Sequence, residues 1–74
     1  MHYNTIIMIW VIEAQSGVSP FRNCLLGHGA TEAEAWEDAI GPAYSRGEVR
    51  RAVRRGWWSR EVTNEEFEKL FHGA

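Results

Sequence analysis

Seventy-four residues with ten acidic and eight basic side chains carry a formal net charge of −2 and fit one domain, because chains divide into separate cores only at several times this length. A single cysteine, Cys24, excludes an internal disulfide framework and fits a reducing compartment. Four tryptophans, three phenylalanines and two tyrosines are more aromatic surface than so small a core readily encloses, so part of it is expected at an interface.

The first predicted element is a strand over residues 3–15, rich in β-branched and aromatic side chains. Its unbroken apolar run, Ile6 to Ile12, is seven residues against the roughly 20 of a membrane helix, and Glu13 follows it directly. No basic residue precedes the run, which argues against a secretory leader. A turn at residues 16–20, with Gly17 and Pro20, leads to a second strand over 21–26 and an antiparallel hairpin. In that strand Phe21, Asn23 and Leu25 alternate with Arg22, Cys24 and Leu26, and Gly27 closes it.

Thr31 and Glu34 then have the spacing of a capping box at a helix start. Trp36, Ala39, Ile40 and Ala43 mark its apolar stripe, and Gly41-Pro42 should stop or kink it near Ile40. A second box at Ser45 and Glu48 opens a helix running to about Arg55, with Gly56 as its stop. Val49, Ala52 and Val53 cluster on one side of that helix, and Arg50, Arg51, Arg54 and Arg55 on the opposite arc. A third strand over residues 57–62 alternates Trp57, Ser59 and Glu61 with Trp58, Arg60 and Val62. A last box at Thr63 and Glu66 starts a helix with an apolar stripe of Phe67, Leu70 and Phe71. The expected fold is therefore α+β, in the order ββααβα, with a two- or three-stranded antiparallel sheet packed against two or three short helices in one domain over residues 1–74.

Charge is segregated along the chain. Glu32, Glu34, Glu37 and Asp38 form one block without a base, and Glu61, Glu65, Glu66 and Glu68 form another. Between them, Arg46, Arg50, Arg51, Arg54, Arg55 and Arg60 face Glu48 alone. Arginine presents a rigid fork suited to carboxylate and phosphate and stacks on aromatic rings, so this segment is the primary candidate contact surface. The expected contact residues are Arg50, Arg51, Arg54, Arg55, Trp57 and Trp58, with Glu32, Glu34, Glu37 and Asp38 as a second, acidic surface. A solvated helix face, partly paired with acids of the same chain, is the plain alternative. Nucleic-acid binding through the same arginines is the competing functional class. The acidic first helix would meet the phosphates in that case, and a pI near 5.9 is low for such a module.

Catalytic and metal chemistry find little support. Cys24 and His28 suggest a nucleophile and base, yet no third group orients them, and Cys24 reads as a small core residue. His2, His28 and His72 lack metal-ligand spacing, so no catalytic residue, metal or cofactor is expected. Gly27-x-Gly29 precedes a helix start that could contact an anion, but it lacks the remaining glycine of a dinucleotide fingerprint and the lysine of a phosphate loop.

The run Gly27-His28-Gly29-Ala30-Thr31 followed by Glu32-Ala33-Glu34-Ala35-Trp36, with the small size, segregated charge and surplus tryptophan, resembles the orphan proteins of bacteriophages and prophages, of the anti-CRISPR and host-takeover type. The likeness is one of construction, without a shared motif that carries residue roles. It implies a non-enzymatic inhibitor that binds a host defence protein or ribonucleoprotein in the host cytoplasm, through charged helix faces and tryptophans. A homodimer that buries exposed tryptophans is a further arrangement, and no membrane contact is expected.

Overall fold

The computed structural model describes residues 6–15 and 23–71. They form β1 (Met8–Gln15), β2 (Asn23–Gly29), α1 (Glu32–Ile40), a 3-10 turn (Gly41–Ala43), α2 (Arg46–Arg54), β3 (Trp58–Thr63) and α3 (Asn64–Phe71). The expected turn at 16–20, the strand start at 3–5 and residues 21–22 lie outside the described residues. The α+β class and the ββααβα order hold, with the sheet at its larger expected size: three antiparallel strands in the order β2-β1-β3.

β1 is the central strand and is covered on both faces at Val11 to Glu13, but it begins at Met8, so Ile6 and Ile7, expected within it, precede it and are 70% and 59% exposed. Register places Trp10 opposite Gly29 and Glu61, Val11 opposite His28 and Arg60, and Ile12 opposite Gly27 and Ser59. One face of the sheet, with Trp10 and Ile12, packs on Ala35 and Trp36 of α1 and Ala52 of α2. The other face, with Val11, Glu13 and Val62, is covered by α3, whose Phe67 ring lies 4.8 Å from that of His28. Val11, Ile12, Ala35 and Ala52 are fully enclosed. Burial of a branched aliphatic side chain such as Ile12 stabilises the fold by about 1.5–3 kcal/mol.

All three helix starts are capped as their sequences dictate. The N–H groups of Glu34, Glu48 and Glu66 donate to the hydroxyls of Thr31, Ser45 and Thr63, each at 3.1 Å. Each such cap contributes on the order of 1 kcal/mol.

Several expectations are corrected. β2 runs through both glycines instead of ending at Gly27, because these are the residues over which α1 lies. A Cβ on Gly27 would stand 2.5 Å from the Ala39 nitrogen, and one on Gly29 would stand 2.7 Å from the Ala35 nitrogen. The pair thus serves close helix–strand packing. A register shift between Ile12 and Glu13 inserts Leu26 as an extra residue of β2, which breaks the expected alternation. Cys24, opposite Ala14 and beyond the reach of α1, is exposed and not a core residue. Ala43 falls in the 3-10 turn and is exposed, so the α1 stripe ends at Ile40. Val53 is 54% exposed: α2 rests on the sheet through Ala52, with Val49 half-buried. β3 begins at Trp58, one residue later than expected.

Candidate interaction surface

Helix α2 ends at Arg54, and Gly56, with φ of 99°, turns the chain so that Trp57 tucks under the helix. The Trp57 N–H donates to the Ala52 carbonyl at 3.0 Å, and the indole packs on the core cluster. The Arg55 guanidinium lies 5.2 Å from the centre of the Trp57 ring, a cation–π contact. Arg50, Arg51, Arg54 and Arg55 are all exposed, as the arc spacing predicts. Arg51 donates to Glu48 at 2.8 Å, a solvent-facing i, i+3 pair that contributes well under about 1 kcal/mol. Arg46, Arg50 and Arg54, one helical turn apart along a single row, have no ion pair among the described residues.

Trp58 does not join this surface. It stands opposite Glu13 on the α3 side of the sheet, and its Nε1–H donates to Glu13 Oε1 at 3.3 Å. Arg60, counted with the basic segment, is on that same side. Its guanidinium bridges Glu13 and Glu66, the latter at 2.8 Å. Glu13 is 1% exposed, the one buried charged residue among those described. The hydrogen bond to Glu13 holds the Arg60 guanidinium above its ordinary pKa, against the opposing effect of burial.

The acidic surface divides in two. Glu34, Glu37 and Asp38 border an open hollow of about 480 Å³ with Gly41 and Pro42. Two of these acids hold the edge of the sheet: the Ala30 N–H donates to Glu34 at 3.1 Å and the His28 N–H to Asp38 at 3.0 Å. Helix α1 thereby covers backbone donors of β2 that an edge strand otherwise leaves open. Glu32 lies apart, accepts a hydrogen bond from the Ser59 hydroxyl, and faces α2.

Between α1 and α2 runs an open groove of about 260 Å³. Trp36, 6% exposed, and half-buried Val49 lie at its base, and Tyr44, 38% exposed, stands at its end. Glu32 forms one wall, Arg46 and Arg50 the other. Four of these residues, Trp36, Tyr44, Arg46 and Val49, are absent from the expected contact set, the first and last having been read as apolar-stripe positions. Arg46 was legible as one turn before Arg50, whereas Tyr44 precedes its helix and follows no periodic signal.

Among the described residues no group of three His, Cys, Asp or Glu side chains is placed to hold a metal ion. Cys24 and His28 stand on opposite faces of the sheet, opposite Ala14 and Val11 respectively, so they do not form a nucleophile–base pair. No helix among the described residues is long and apolar enough to cross a membrane. Comparisons of the chain with protein-family models, with curated proteins and with solved structures find no match.

Proposed function

We propose that this chain is a non-enzymatic binding protein that attaches to a larger macromolecule through the outer face of α2. The reading extends to a phage-encoded inhibitor acting in the host cytoplasm on a defence protein or ribonucleoprotein. The observation that supports it most is the row Arg46, Arg50 and Arg54, exposed and without carboxylate partners among the described residues, in a chain whose acids outnumber its bases. Had these arginines only served solubility, pairing with the ten acids of the chain was open to them. Glu48, on the same helix, pairs with Arg51, while Glu34, Asp38 and Glu32 accept from the Ala30 and His28 N–H groups and the Ser59 hydroxyl. Arginine with adjacent aromatic surface is the composition of interface hot spots.

The test is affinity capture from a bacterial lysate with the tagged chain, compared with Arg50→Glu plus Arg54→Glu. Recovery of a defined partner by the parent chain and its loss in the variant, at unchanged circular dichroism, is the expected outcome. Equal recovery by the variant rejects the α2 face. Duplex or single-stranded nucleic acid retained by the parent chain, in place of a protein, would transfer the same arginines to the competing reading.

A further inference from the structure

We propose that the groove between α1 and α2 seats an acidic segment of the partner protein, with an apolar side chain of that segment lying on Trp36 and Tyr44 and its carboxylates pairing with Arg46 and Arg50. This rests on the binding function proposed above and names the chemistry of what is bound.

The two walls of the groove differ in charge, and that difference selects the occupant. Arg46 and Arg50 stand one turn apart on α2, so a pair of carboxylates with similar spacing meets both forks. Neither arginine has an ion pair among the described residues, so an incoming carboxylate displaces only water. The base is apolar and aromatic: Trp36 is fixed by the core beneath it, which gives a rigid platform with little ordering cost on binding. Tyr44 is 38% exposed and available to a ligand at the end of the groove. On the opposite wall Glu32, held by the Ser59 hydroxyl, keeps an acceptor oxygen for a peptide N–H.

The same wall disfavours a nucleic acid. A phosphodiester chain carries negative charge at every step and would run against Glu32 and then the exposed acids of α1. A polypeptide alternates charged, polar and apolar groups and fits both walls. The groove also combines an aromatic seat with a flanking arginine row, the arrangement by which interfaces place a central anchor within a charged rim.

The experiment is an amide and indole N–H chemical-shift titration of the full chain. The probe is an acetylated, amidated peptide with four acidic residues around one phenylalanine. Controls are the same peptide with basic residues in place of acidic ones, and a single-stranded oligonucleotide. The acidic peptide is expected to shift the Trp36 indole and the amides of Tyr44, Arg46 and Arg50 together. Arg46→Glu plus Arg50→Glu should weaken binding about tenfold or more, Tyr44→Ala should weaken it several-fold, and Lys69→Glu, on α3 across the sheet from the groove, should leave it within about twofold. Shifts centred elsewhere, an equal response to the basic peptide, or tighter binding of the oligonucleotide at these residues would overturn the proposal. Unchanged capture of the lysate partner by the combined Tyr44→Ala, Arg46→Glu variant would remove the groove while leaving the α2 face standing. Absence of any partner for the parent chain would count against the binding function itself, with the groove still decided by the peptide titration.

Discussion

The guanidinium of Arg60 grips the carboxylate of Glu13 across adjacent strands, joining residues 47 positions apart, and extends to Glu66 of α3. Glu13 also accepts from the Trp58 indole, so a buried charge is enclosed by two donors on one strand and linked to the helix above it. Such a cluster fixes which strand neighbours β1 and which helix covers it, because a misaligned pairing leaves a charge buried alone.

Removal of that carboxylate has a definite consequence. Glu13→Ala strands the Trp58 N–H and leaves a cavity, while Arg60, partly exposed, keeps Glu66 and water. The expected loss is about 2 kcal/mol, below the full cost of orphaning an enclosed charge. Urea denaturation at neutral pH checks it. A midpoint unchanged from the parent chain would show that the cluster adds nothing to stability.

Gly27→Ala is expected to destabilise to a comparable extent. Its new Cβ meets the Ala39 nitrogen, its side chain and the Ala35 carbonyl, all closer than a real Cβ tolerates and two of them backbone. Helix α1 has to lift from β2, which also draws Asp38 away from the His28 N–H. Overpacking of this kind costs about 1–3 kcal/mol, and thermal unfolding followed by circular dichroism would register it. Faster exchange of the His28 amide should accompany the change.

Local signals were legible in the sequence where the physics is local. The three hydroxyl–glutamate pairs at Thr31, Ser45 and Thr63 each start a helix at the position their spacing indicates, and the apolar run of β1 is central in the sheet. The arginine arc of α2 followed from its period alone. What escaped depends on contacts distant in sequence. Cys24 looked like a core residue because a small apolar side chain on a strand usually is one, and nothing local shows that this end of β2 is left exposed. Glu13 was legible only as the charge that follows the apolar run, because Arg60, 47 residues away, gives no local sign of pairing with it. Trp57 and Trp58 were grouped as one anchor, although Trp57, just before β3, packs on the core under α2, while Trp58, the first residue of β3, faces α3 opposite Glu13. The surplus of aromatics pointed to exposed tryptophan, yet among the described residues the exposed large aromatics are Tyr44 and Phe71.

That separation of the tryptophans yields a contrast. Trp58→Phe removes only the hydrogen bond to Glu13, so a modest stability loss of about 1 kcal/mol is expected, with partner capture unaffected. Trp57→Leu keeps apolar volume under α2 but deletes the ring beneath Arg55. It should weaken capture through the α2 face several-fold, because Arg55 loses the surface that orients it. Comparable loss of capture in both variants, measured at temperatures where both are folded, would place the contact surface across both faces of the sheet.

Ionic strength separates the two functional classes that share the arginines. A protein partner steered by the exposed row Arg46, Arg50 and Arg54 should associate more slowly as sodium chloride rises, on the order of tenfold between low and high salt, with dissociation changing little. The cause is geometric: these charges stand at the rim, where water and salt reach them, while an apolar anchor on Trp36 and Tyr44 is indifferent to salt. A nucleic acid neutralised by the same row would instead lose equilibrium affinity linearly on a logarithmic salt scale, with a slope of about −0.7 to −0.9 per phosphate contacted. Association and dissociation rates of the captured partner on a biosensor surface, measured over a salt series, distinguish the cases. A dissociation rate that climbs steeply with salt would mean that the arginines carry the affinity themselves and that the groove contributes no anchor.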